Sequence, residues 1–122
     1  MGFFDFLKKK KEGTASSEKT QVKRADINET AAALQAQADA FLLDVREPDE
    51  YAGGHIPGSM NIPVQKIEMA GMAIPDKDAP VYVYCESGMR SRFAARSLVN
   101  FGFTNITDLG GIRSYKGPRE KS

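Results

Sequence analysis

The sequence predicts an α/β domain in which a central, mostly parallel sheet is covered by helices on both faces. Three observations predict it. Runs rich in apolar and β-branched residues, foremost at 41–45 and 81–85, alternate with segments of helical spacing. Each connection is long enough to carry the chain back to the start of a parallel neighbour. The strongest apolar run ends in a short polar loop with a glycine, which then opens into a helical pattern.

The 122 residues fit one domain with a modest core, and no internal repeat is visible. Charge is uneven. Residues 1–24 hold seven Lys and Arg against three acids, a local balance of +4 within a total of +1, so the remainder carries −3. A domain-wide nucleic-acid surface would need basic residues spread over the fold, and this distribution excludes it. Instead it predicts a flexible basic arm over 1–24 and a folded domain over 25–122. In the arm, Phe3, Phe4, Phe6 and Leu7 precede the four lysines 8–11. That composition suits weak contact of residues 1–11 with an anionic membrane, and the bland alternative is a solvated tail. Position 6 is Phe where a myristoylation signal needs Ser or Thr, so Gly2 is not read as an acylation site. No apolar run approaches membrane-spanning length, and no secretory signal is read. The single cysteine cannot close an internal disulfide, in keeping with a reducing compartment. The expected location is cytoplasmic, with the arm able to sit at the inner face of the membrane.

In chain order, Asn28 can N-cap a helix running through Ala31 to Leu34. Residues 41–45 form a strand candidate broken by Asp44 and followed by Arg46. Pro48 suits the first turn of a short helix. Residues 53–59, with three glycines and a proline, form a loop. Residues 59–63 allow a short strand, confined by Pro63 to an edge or an end. Helical material occupies 64–73, weakened by Gly71, and 75–80 is a surface turn. Strand 81–85 precedes the cysteine loop. The next helix shows Ala94, Ala95, Leu98 and Phe101 on one stripe, with Gly102 where a C-cap would sit. A last strand over 105–109 and a short helix over 112–115 close the domain.

In a parallel sheet, ligands bind at the carboxyl ends of the strands, and Cys85 stands at one. A strand, tight loop and helix in that order turn backbone N–H groups toward the strand's end and favour an anion there. The anion most directly served is the thiolate of Cys85. A lone cysteine is also a common small hydrophobe at the end of a core strand. A buried strand end alone has no need of the polar turn Glu86-Ser87-Gly88 with Arg90 facing the sulfur, whereas an activated thiol gains from each.

At this point the residues resemble the single-domain rhodanese family of sulfurtransferases, over nearly all of 25–118. Leu42-Leu43-Asp44-Val45-Arg46-Glu47, with Glu50-Tyr51 and Gly54-His55-Ile56-Pro57-Gly58-Ser59-Met60-Asn61-Ile62-Pro63, is similar to the family's amino-terminal signature. Val83-Tyr84-Cys85-Glu86-Ser87-Gly88-Met89-Arg90-Ser91 is similar to its active-site loop. Asp108-Leu109-Gly110-Gly111-Ile112 through Tyr115 is similar to its closing motif, with Tyr115 where Trp is usual. Glu86 departs too, adding an acid beside the thiolate.

The resemblance implies a rhodanese-like fold and a ping-pong reaction through a persulfide on Cys85, with no cofactor. Backbone N–H groups of Glu86, Ser87, Gly88, Met89 and Arg90 would hold the terminal sulfur, and the Arg90 side chain would attract a small anionic donor such as thiosulfate. Cyanide or a thiol, such as thioredoxin or glutathione, would accept the sulfur. Ser91, Asp44 and Arg46 would support the site, the last two as an ion pair. Phosphatases of this fold place five residues between Cys and Arg, whereas this chain has four, which favours sulfur over phosphate. One His and one Cys lack the ligand count for a metal site, and His55, set among glycines and proline, reads as a structural hydrogen-bonder. The alternative from another class is a persulfide-carrying or regulatory module with little turnover, tethered to membrane by its arm.

Overall fold

The computed structural model describes residues 22–122. Most of the expected arm, including its apolar tip and the lysines at 8–11, therefore lies outside the described residues. Five strands form one sheet in the order β1-β5-β4-β2-β3, and every neighbouring pair is parallel. They are β1 (Val22–Arg24), β2 (Phe41–Asp44), β3 (Met60–Asn61), β4 (Val81–Cys85) and β5 (Ile106–Gly111). The helices are α1 (Ile27–Leu34), α2 (Pro48–Ala52), α3 (Ala70–Ala73) and α4 (Met89–Asn100), with 3-10 turns at Val64–Met69 and Ile112–Ser114.

Side chains alternate across β4, and this alternation builds two cores. Val81, Val83 and Cys85 join Leu43, Ile67, Ala70, Ala94, Ala95 and Leu98 on the face covered by α4, α3 and the turn before α3. Tyr82 and Tyr84 point the other way, with Ile27, Ala31, Leu109 and Ile112, toward α1. Each fully buried Val, Leu or Ile contributes about 1.5–3 kcal/mol, so β4 is the strand most firmly held in place. The residue that ends it inherits that rigidity.

Three sequence expectations change. The domain starts before residue 25: Val22, Lys23 and Arg24 pair with Ile106, Thr107 and Asp108 of β5 as an edge strand. The N-cap of α1 is Asp26, whose Oδ2 accepts from the Glu29 N–H at 2.9 Å, while Asn28 reaches across the fold. Its side chain donates to the Ser114 carbonyl and accepts from the Lys116 N–H, which ties α1 to the carboxyl-terminal segment. Phe101, expected in the core stripe, is 45% exposed, and Phe103 fills the core instead. Gly102, at φ 102°, takes the left-handed turn that stops α4 and swings Phe103 inward. Among the described residues, no helix is long and apolar enough to cross a membrane.

Candidate active site

Cys85 ends β4 at the carboxyl edge of the sheet, and Met89 opens α4 four residues later. The connecting turn is tight because Gly88 adopts φ 108°, which side-chain-bearing residues rarely take. That geometry aims the Gly88 N–H at the sulfur, donating to Cys85 Sγ at 3.0 Å. The first N–H groups of α4 come next in the chain, and helix geometry gives them no carbonyl one turn back. The turn and the start of α4 thus set N–H groups beside the sulfur. Cys85 itself is 1% exposed, lying under the loop rather than in its mouth, while Ser87 and Met89 above it are exposed.

The loop is held from below by β5. Opposite the junction of Val83 and Tyr84 the register slips by one residue, so that Tyr84 faces Gly110 and Cys85 faces Gly111. A bulge of this kind bends the strand end and re-aims the residues beyond it. Gly111 then lies directly under the loop. A Cβ built there would stand 2.7 Å from Ser87 Cα and closer still to the Glu86 carbonyl oxygen, so only glycine lets the two backbones approach this far. Ser91 locks the far side: its hydroxyl donates to Asp108 Oδ1 at 2.8 Å, and the same carboxylate oxygen accepts from the Gly110 N–H at 2.9 Å. Both side chains are buried.

Asp44 and Arg46 form a buried ion pair. Arg46 donates from Nε to both Asp44 oxygens at 3.0 and 3.1 Å and from Nη2 to Oδ2 at 2.7 Å. Its Nη2 also reaches the Gly54 carbonyl at 2.8 Å, and its Nη1 reaches Glu86 Oε1 at 3.2 Å. Burial opposes the Arg46 charge, but the hydrogen bonds and charge of Asp44 outweigh it and hold the guanidinium more firmly protonated than usual. Glu86 is thereby turned outward. Its other oxygen faces Arg113 Nε at 3.4 Å, so the acid expected beside the thiolate is spent on two arginines.

Arg90 forks onto Glu50: Nη1 donates to Oε1 at 2.7 Å and Nη2 to Oε2 at 3.1 Å. Hydrogen bonds from Arg90 hold the Glu50 carboxyl down at about 2, against the effect of burial, and the Glu47 N–H adds to them. In return Glu50 raises Arg90 above its ordinary range, with a smaller contribution from the nearby Cys85. The fork spans 40 positions, and in the sequence Glu50 is legible only as part of a motif.

His55 lies elsewhere. Its ring stacks on Tyr51 at 3.7 Å, its Nδ1 donates to the Tyr51 carbonyl, and its backbone bridges Glu120. This is a structural role in the loop that Tyr84 also anchors, through a hydroxyl accepting from the Ile56 N–H at 3.0 Å. Burial, then the Asp44 carboxylate, raises that phenol and keeps it neutral. Among the described residues no three His, Cys, Asp or Glu side chains gather closely enough to hold a metal ion.

The family model of the rhodanese-like domain matches residues 27–117, which include every element of this site. The chain belongs to the rhodanese-like domain family. This rhodanese domain is 36% identical over 80 residues to thiosulfate sulfurtransferase PspE of Escherichia coli, covering 65% of the chain and 77% of PspE. It is 44% identical over 79 residues to YqhL of Bacillus subtilis, covering 64% of the chain and 62% of that relative's length. Among solved structures, a rhodanese with anions from E. coli superposes with a TM-score of 0.64 at 34% identity, over 68% of this chain and 99% of the other.

Proposed function

We propose that this rhodanese domain is a sulfurtransferase that moves sulfane sulfur from thiosulfate or a related donor to a thiol or to cyanide, through a persulfide on Cys85. Family membership and the names of its relatives support sulfur transfer in general. The observation that carries the finer reading is the Gly88 N–H on Cys85 Sγ, at the amino end of a helix that starts four residues later.

In the first half-reaction the Cys85 thiolate attacks the outer sulfur of thiosulfate. The new Sγ–S bond forms as the bond to the sulfonate sulfur breaks, and that electron pair leaves with sulfite. The negative charge then rests on the terminal sulfur, where the loop's amides can receive it. In the second half-reaction cyanide carbon, or a thiolate, attacks that sulfur, and the electron pair of the breaking bond returns to Sγ. Both halves balance without an outside oxidant or reductant.

Intact-protein mass spectrometry tests this. After thiosulfate treatment the protein should gain one sulfur atom on the peptide holding Cys85, and cyanide should remove it as thiocyanate. No gain of sulfur would overturn the proposal. A gain that cyanide or thiols fail to discharge would favour a persulfide-holding module instead, a reading favoured by the 1% exposure of Cys85.

The packing under the loop gives a second expected result. Gly111→Ala must push Glu86 and Ser87 upward, because the atoms it meets are backbone and cannot swing aside. Overpacking of this kind costs about 1–3 kcal/mol. Displacing a reacting group by about 1 Å can cost on the order of 100-fold in rate. A thermal melt and the rate of thiocyanate formation measure the two effects, and a variant as active as wild type would remove Gly111 from the account.

A further inference from the structure

We propose that Glu50 is a specificity-determining residue that neutralises Arg90 and so sets the site against doubly charged sulfur donors in favour of singly charged ones. The inference rests on the sulfur-transfer reading above. It begins with the charges around Cys85. Asp44, Arg46, Glu86 and Arg113 form one connected group in which two acids meet two arginines. Arg90 and Glu50 form the second group, again balanced. Asp108, under Ser91, faces Arg24 at 3.9 Å, so the side chains bonded around the loop bring no net charge to an approaching donor, and the thiolate that must attack it is itself negative. Stabilisation of the sulfur falls to the amides, which act over short range.

Glu50 is no casual partner for Arg90. As the third residue of α2 it closes a capping box, its Oε1 accepting from the Glu47 N–H at 2.9 Å while also taking Arg90 Nη1. The carboxylate is fixed by its own helix before it meets the guanidinium. A guanidinium carries five N–H donors, of which Glu50 takes two, so Arg90 keeps hydrogen bonds to offer while its charge is compensated. Such a residue can orient a donor without drawing in one of high charge. Thiosulfate brings two negative charges to this site, and a small alkyl persulfide brings one.

Glu50→Gln tests the idea, because glutamine keeps the length and an oxygen for the capping box while removing the charge together with one of the two acceptors of Arg90. With Arg90 unmasked, KM for thiosulfate should fall about tenfold, and KM for 2-hydroxyethyl persulfide, a monoanion, about threefold. The second factor is near the square root of the first, because Coulomb energy scales with donor charge. The kcat of each reaction should change little, and Glu50→Asp should restore the wild-type ratio of the two KM values. If KM for thiosulfate rises or stays unchanged, or both donors shift equally, Glu50 only positions Arg90 and the proposal fails. Wild-type protein offers a check that needs no variant. Added salt screens charge, so it should lower the thiosulfate KM more steeply than the persulfide KM, and a rise with salt would contradict the proposal. If Cys85 gains sulfur from neither donor, the sulfur-transfer reading and this inference fall together. Loading from both without the charge dependence overturns the inference alone.

Discussion

Cys85→Ser should show no sulfur transfer from thiosulfate to cyanide above the uncatalysed rate, while keeping the fold. The two effects separate because the sulfur has two surroundings. As a core atom it packs with Val81, Val83 and Ala94. A hydroxyl there costs the burial of a polar group, but the Gly88 N–H that now donates to Sγ is still met by an acceptor. The expected loss is about 1 kcal/mol, or a few degrees of melting temperature for a domain of this size. As a nucleophile, by contrast, serine has no ionised form near neutral pH and no general base bonded to it, since His55 is committed to Tyr51 and Glu120. A coupled assay for thiocyanate and a thermal melt measure the pair. Retained turnover would rule out the persulfide route. Aryl phosphate hydrolysis by wild type that vanished in the variant would revive phosphate chemistry against the argument from loop length.

The sheet can be read from the sequence where burial forces a pattern on it. Strands β2 and β4 lie between other strands and are covered on both faces, so their residues are nearly all apolar whichever face they meet. Strand β1 carries no such signal. At the sheet's edge it contributes Val22, Lys23 and Arg24, with only Val22 turned toward the core, and backbone pairing to β5 carries it. Within a basic stretch it reads as more of the arm. The cap of α1 escapes the sequence for a different reason. Asp26 and Asn28 are both good caps, and the choice between them is decided because Asn28 is taken by Ser114 and Lys116, nearly ninety positions away.

The same division runs through the site. The turn from Cys85 to Arg90 is local, so residue type and spacing carry most of its geometry, including the positive φ of Gly88. The direction of a long side chain is not local. Spacing places Arg90 beside Cys85, but the carboxylate that captures it comes from α2, across the carboxyl edge of the sheet. Gly111 is visible in the sequence only as one glycine of a pair. Its task of admitting the Glu86 carbonyl at close range depends on a bulge that exists only once β4 and β5 have paired.

Arg46→Ala should be the most destabilising of the substitutions considered, at about 3–5 kcal/mol by urea unfolding. Arg46 is 3% exposed and Asp44 0%, so removing the guanidinium leaves a carboxylate with no solvent and no cation, met by the residue 46 backbone N–H at 2.9 Å and the neutral Tyr84 hydroxyl. A domain stable by about 5–15 kcal/mol loses at least about a fifth of its margin. Arg46→Lys should recover little of this, because one ammonium cannot reach Asp44, the Gly54 carbonyl and Glu86 together as the fork does. The double variant with Asp44→Asn is decisive. If the penalty comes from a stranded charge, adding Asp44→Asn to the Arg46→Ala background should restore part of the stability, giving a coupling of about 1–3 kcal/mol in the cycle. Strict additivity, or a loss under about 1 kcal/mol for Arg46→Ala alone, would show that the pair is incidental. Sulfur loading should fall further than the stability loss accounts for, because Glu86 released from Arg46 keeps only the exposed Arg113 and is free to turn back toward the sulfur it now avoids.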